Sequence, residues 1–263
     1  MAHIDGFTYG LVNPLLAYFA ACLGAALGLR CTVRALDLPA RRRRGWLLLA
    51  SAAIGCGIWT MHFIAMLGFT VTNATIVYDV PRTLASLGVA VVVVGVGIFW
   101  VGHRPRGTAS LLIGGGFTGL GVAAMHYLGM SAMQVAGTVS YNPLLVAASV
   151  AIAVVAATAA LWMTLNVRGF AASLGAALIA GIAVVAMHYT AMTAVRVSLY
   201  LDPVIPSGMP ASEFILPVAV GILVFLTVGG MVILMSPQPT TRAERGAGGP
   251  QPETIHIDLF GGR

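Results

Sequence analysis

Long unbroken runs of apolar residues alternate with short polar or arginine-bearing segments along almost the whole chain. Seven runs reach or approach the roughly 20 residues that a helix needs to cross a bilayer: 11–29, 46–69, 83–101, 109–135, 144–166, 171–195 and 214–235. They are numbered here as spans 1 to 7. None shows the period-two alternation of a membrane β-barrel strand. The runs are rich in glycine and alanine, which let helices approach closely in lipid. The pattern predicts an all-α integral membrane protein, with seven transmembrane helices forming one domain over 1–235. Residues 236–263, rich in proline, glycine and charge, read as a short flexible tail.

Three of the runs share an internal pattern. "WTMHFIAMLGF" at 59–69, "AAMHYLGMSAM" at 123–133 and "VAMHYTAMTAV" at 185–195 place His62, His126 and His188 at separations of 64 and 62 residues. A glycine stands seven residues before each: Gly55, Gly119 and Gly181. A methionine precedes each directly (Met61, Met125, Met187), and another follows four residues later (Met66, Met130, Met192). The next residue is aromatic (Phe63, Tyr127, Tyr189), and a small residue stands three after (Ala65, Gly129, Ala191). The odd-numbered spans echo the period through "VNPLL" at 12–16, "YDVP" at 78–81 and "YNPLL" at 141–145. Spans 1–6 therefore read as three helix-pair pseudo-repeats, each entering at a proline and returning on a histidine helix. Span 7 is an extra helix. Its approach, "YLDP" ending at Pro203, resembles the other openings, as a relic of a fourth would.

Charge adds orientation. Only 8% of the 263 residues are charged, against roughly 25% in a soluble domain, and all fourteen basic residues are arginine. Twelve follow spans 1, 3, 5 and 7, and only Arg82 and Arg196 lie in the alternate loops. The positive-inside rule then predicts an external N-terminus and a cytoplasmic C-terminus. The same distribution explains the net charge of +6 without nucleic acid as a partner; Arg41, Arg42, Arg43 and Arg44 read as a topological anchor beside anionic headgroups. No basic region precedes span 1, so the N-terminus does not read as a cleaved signal peptide. Cys22, Cys31 and Cys56 have no disulfide spacing and read as packing residues. Tyr78, Tyr141 and Tyr200 fall near outer span ends, as an aromatic belt would. His3, His103 and His256 lie outside the spans and read as ordinary exposed histidines.

Spans 2, 4 and 6 all run outward, and each histidine stands seven to nine residues before the end of its span. At 1.5 Å per residue that is about 10–13 Å below the outer surface. One depth and a pseudo-threefold axis allow the three rings to face one centre. Residues i and i+4 share a helix face, so each histidine and its following methionine are stacked. The preceding methionine lies about 100° round and is the second choice as a sulfur donor. A neutral imidazole, the form an apolar setting favours, is a good metal ligand. Thioether sulfur is soft and selects copper(I). Three imidazoles with thioethers and no carboxylate therefore suit copper best, with zinc and haem as lesser candidates. Calcium and magnesium lack the oxygen ligands they need. A non-enzymatic role is expected, since no catalytic constellation is present. A copper or small-solute transporter or channel remains an alternative, although no Asp, Glu or Arg lies within any span. A haem-containing membrane redox protein and a purely structural subunit are further alternatives.

Met125-His126-Tyr127 and Met187-His188-Tyr189-Thr190 resemble the motif that names the MHYT family of bacterial integral-membrane sensor domains. Met61-His62-Phe63 is the same motif with phenylalanine for tyrosine, and only the third copy carries all four letters. The resemblance covers spans 1 to 6 and extends towards 7. It implies three helix pairs in the bacterial cytoplasmic membrane with the motifs near the outer face. It implies copper held by these histidines and methionines, and sensing of a diatomic gas such as oxygen, carbon monoxide or nitric oxide. Many members continue into a cytoplasmic output domain. The 28 residues after Met235 cannot hold one, so a separate cytoplasmic signalling partner is expected. Residues 254–260, "TIHIDLF", alternate and could add as a strand to such a partner's sheet, although a flexible end is the simpler reading.

Overall fold

The computed structural model describes residues 4–6, 8–103, 107–167, 169–201 and 206–235. The tail, Pro203 with its proposed fourth opening, His3, His256, Arg104, Arg106 and Arg168 lie outside the described residues. Seven helices carry the fold: α1 (Val12–Leu36), α2 (Ala40–Met66), α3 (Val80–His103), α4 (Thr108–Ala132), α5 (Pro143–Asn166), α6 (Phe170–Thr193) and α7 (Ile215–Met235). All seven are long and apolar enough to cross a membrane. Leu15, Phe19, Leu120, Val155, Ile179 and Val228 stand exposed on their outer faces, which is the arrangement lipid as solvent requires. The seven-helix integral membrane fold is as the hydropathy pattern predicts.

The helices extend past the apolar runs at the arginine-rich end. There α2 begins at Ala40 and includes Arg41, Arg42, Arg43 and Arg44. Arginine is a good helix former, and outside the hydrocarbon its charge does not oppose the helix. At the other end α2, α4 and α6 stop two to three residues short of the apolar runs, and short strands follow. These are β1 (Ile4–Asp5), β2 (Thr70–Val71), β3 (Val77–Tyr78), β4 (Met133–Gln134), β5 (Gly137–Tyr141) and β6 (Val195–Leu199). They pair antiparallel as β1–β2, β3–β4 and β5–β6, the longest running from Gly137 opposite Leu199 to Tyr141 opposite Val195. Each repeat is thus strand–helix–helix–strand, closed on itself at one end. A pure helix pair, as read from the sequence, omits this clasp. The alternating segments "GTVSY" and "VRVSL" carry it at five residues each, too short to separate from loop.

The entry residues cap the odd helices. Asn142 Oδ1 accepts from the Leu144 and Leu145 amides ahead of Pro143, and Asp79 Oδ1 accepts from the Arg82 amide. Asn13 departs from this role: it is buried, and its Nδ2 donates to the Ile64 carbonyl of α2 at 3.1 Å.

Helices α1 to α6 form a closed ring in sequence order, with α6 returning to α1. Glycines set the spacing at its seams. A Cβ on Gly24 would stand 2.7 Å from the Gly57 Cα, which locks α1 to α2. The three repeat glycines each face the next odd helix. A Cβ on Gly55 would stand 2.7 Å from Val91 Cα in α3, one on Gly119 would stand 2.7 Å from the Ala153 carbonyl oxygen in α5, and one on Gly181 would stand 2.5 Å from Cys22 Sγ in α1. Residue i−7 is rotated by only about 20° from the histidine, so one face both opens the seam and carries the ring. Helix α7 lies outside this ring and packs on α1 and α2 through Ile215, Ala219, Leu226 and Ile233. The segment before it is held to β3 by paired hydrogen bonds between Met209 and Tyr78.

Candidate metal centre

Helices α2, α4 and α6 run in parallel towards the clasped end and carry His62, His126 and His188 into the centre of the ring. The rings are 0%, 0% and 1% exposed, so none faces the acyl chains. They stand 4, 6 and 5 residues before the ends of their helices at Met66, Ala132 and Thr193. The expected seven to nine residues run to the ends of the apolar runs; the helices themselves end earlier, which places the rings about 6–9 Å from the helix ends.

The three imidazoles meet edge to edge. Their centroids are 4.8, 5.1 and 5.1 Å apart, and their planes cross at 73–83°. His62 is the hub: its Nδ1 lies 3.1 Å from His126 Nδ1 and 3.1 Å from His188 Nδ1. One ring nitrogen from each residue lies within 4.8 Å of the other two. The motif aromatics buttress this triangle. Phe63, Tyr127 and Tyr189 each pack edge-on against their own histidine, at 4.6, 4.9 and 5.0 Å. Tyr127 is further fixed by a 2.8 Å hydrogen bond between its hydroxyl and Ser149 Oγ.

Two of the three spacings in this donor set suit a single ion, and the third pair, within 4.8 Å, would have to close on it. Nitrogen ligands about 2.0–2.1 Å from one ion stand roughly 3.3–3.6 Å apart in tetrahedral or trigonal geometry, close to the 3.1 Å contacts made by His62. Protons alone suit the cluster poorly. A neutral imidazole nitrogen offers one proton or one lone pair, so His62 Nδ1 can satisfy only one of its two neighbours. An ion shared by three lone pairs removes that conflict. The far nitrogens are less well served. His62 Nε2 and His126 Nε2 are buried with no hydrogen-bond partner, whereas ligating histidines usually donate from that atom.

The six methionines fall in two layers. Met61, Met125 and Met187, one residue before the histidines, are all buried, and Met187 borders a cavity on the arginine side. Of the three one turn beyond, Met66 and Met130 are buried and Met192 is half-buried. Met66 also borders a cavity of about 200 Å³ under the clasp, with Phe69 and Tyr78.

Among the three small residues that follow the histidines, Gly129 has a special part. Gly129 takes the position held by Ala65 and Ala191 in the other repeats, and a Cβ there would stand 2.5 Å from His62 Nε2. The hub ring is seated against this bare backbone. The departure from alanine was the visible signal. Gly129→Ala is expected to push the His62 ring off its partners and weaken the affinity of the cluster for any ion it holds by about 10- to 100-fold, the range of displaced supporting contacts. A competition titration with a copper(I) chelator measures it. One expectation is corrected here. Tyr78 is 2% exposed and packs against Phe63 at 6.1 Å, so it belongs to the interior and not to an aromatic belt. Burial pushes its phenol upward and keeps it protonated. Tyr200 is exposed and Tyr141 half-buried.

The repeat is also found from outside the structure. The MHYT family signature, described as "Bacterial signalling protein N terminal repeat", matches three times, over 55–115, 119–177 and 181–247. The chain belongs to the MHYT family. Among its MHYT relatives are the bifunctional diguanylate cyclase/cyclic di-GMP phosphodiesterase MucR of Pseudomonas aeruginosa, 34% identical over 73% of this chain and 29% of its own length. The cyclic di-GMP phosphodiesterase NbdA of the same organism is 36% identical over 79% of this chain and 27% of its own length. The signaling protein YkoW of Bacillus subtilis is 28% identical over 71% of this chain and 24% of its own length. The chain thus spans less than a third of each of these relatives. No solved structure matches it.

The MHYT repeats begin at Gly55, Gly119 and Gly181, so each joins a histidine helix to the helix after it. The strand clasps join each histidine helix to the helix before it. The two units are offset by one helix. By repeat position α7 corresponds to α3 and α5, yet α1 fills that place in the ring.

Proposed function

We propose that this MHYT protein is a membrane sensor, not an enzyme, that holds one copper-type ion on His62, His126 and His188. Met66, Met130 and Met192 are the preferred sulfur donors, followed by Met61, Met125 and Met187. The observation that carries the reading is the contact of three buried imidazole nitrogens around His62 in an interior with no carboxylate. Soft donors in such a setting favour copper(I), and a redox-active ion accounts for a response to oxygen, carbon monoxide, nitric oxide or redox state. Zinc fits the three nitrogens but gives no redox response. Haem fits poorly, because three rings in mutual edge contact leave no slot for a macrocycle between two of them.

The arginine distribution supports a cytoplasmic arginine-rich end, with the histidines towards the outer face of a bacterial cytoplasmic membrane. The names of MucR and NbdA support an output in cyclic di-GMP turnover by a cytoplasmic signalling partner. Elemental analysis of protein purified without a histidine tag tests the site. Copper near one per chain is expected, with none in the triple His→Ala variant. A copper-free wild type after growth in copper, or a Soret band in its spectrum, overturns the proposal. Saturable copper flux into vesicles would make the protein a transporter instead.

A further inference from the structure

A cavity of about 90 Å³, partly open rather than sealed, lies between the ring helices on the arginine side of the histidines, and all six line it. Its position relative to the rings follows from the helix period. Ile58, Val122 and Val184 line it, and each stands four residues before a histidine, one turn along the same face. Aliphatic side chains and methionine make up nearly all of the wall. The two exceptions are Thr118 and Thr164, whose hydroxyls donate to the Gly114 and Ala160 carbonyls of their own helices at 2.8 Å. Both hydroxyl protons are thus used, so the wall offers a water no side-chain donor and only these two hydroxyl oxygens as side-chain acceptors, against the two to four polar partners a water needs to stay.

We propose that this cavity is a dry binding site for a small apolar gas, in the size range of a diatomic molecule or a xenon atom. Apolar cavities of comparable size stay empty of water and take xenon. Apolar gases concentrate in lipid, and the ring is immersed in it. The position of the cavity, one turn from His62, His126 and His188, makes it an antechamber in which a gas is held beside the imidazoles. This last role rests on the metal-sensor reading; occupancy of the cavity does not, because none of the three histidines lines it and, of the proposed sulfur donors, only the second-choice Met187 borders it.

Xenon is therefore the probe, applied under pressure to crystals of the full chain. One anomalous peak is expected between Ile58, Val122 and Val184 in metal-free wild type. It should persist in the triple His→Ala variant, which separates this site from the metal site. Ala177→Leu and Ala153→Leu, which place new methyl groups into the cavity from α6 and α5, should each abolish the peak. Ordered water or a lipid acyl chain in the cavity of the wild type, no xenon there, or a peak that survives both fillings overturns the proposal.

Discussion

In the proposed copper centre, His62→Ala is expected to weaken copper binding by about a thousandfold or more, the largest effect of any single substitution on the site. Changes one shell removed from a metal already cost about 10- to 100-fold, and this one removes a ligand. His62 is also the member that touches both others. Its loss leaves His126 and His188 with ring centroids 5.1 Å apart and no third donor between them. His126→Ala and His188→Ala each leave a pair of nitrogens still 3.1 Å apart, so they are expected to retain weak residual binding. Chelator competition on the three variants orders them. Equal affinities, or an intact His62→Ala site, would remove the hub role.

Gly119→Leu is expected to disrupt the fold itself. The residue faces the backbone of α5, against Val154 and the Ala153 carbonyl oxygen, so the new side chain meets atoms that cannot rotate away. Overpacking of a core by a few methylenes costs about 1–3 kcal/mol, and contact with backbone lies at or above the top of that range. The seam must open, and His126 lies two turns along the same helix, so the histidine triangle goes with it. Gly116→Leu is the control. Nothing stands within 4 Å of a Cβ at Gly116, one turn away on the outer side of α4. Relief of a mid-helix glycine is worth about 1 kcal/mol, so this variant should be neutral or slightly more stable. Thermal unfolding in detergent compares the two, and equal melting temperatures would mean that the seam is not as tight as the glycine contacts indicate.

The fold and the site differ in how far the chain discloses them. Seven spans and three repeats follow directly from hydropathy and the His–Met spacing, because lipid forces every backbone group into a helix and leaves the side chains to set the pattern. Depth along the helix follows from the same spacing, though it is offset by the clasp. Azimuth does not. Whether His62, His126 and His188 meet depends on crossing angles that Gly55, Gly119 and Gly181 fix through partners on other helices. The hub at His62 arises from the replacement of an alanine by Gly129 in a different repeat. Tyr78 misleads for a similar reason: a tyrosine at a span end normally faces the interface, but here the Met209 segment folds over it.

The placement of α7 has a mechanical consequence. It leans on α1 and α2 of the first repeat along its length, and only the segment before it is tied to β3 of the second. The first repeat owns His62. A few degrees of roll in α2, as its imidazole is drawn in or let go, would therefore tilt α7 as a lever tilts on its fulcrum. The third repeat, whose helices α5 and α6 carry no main packing against α7, would be the frame against which that roll is measured.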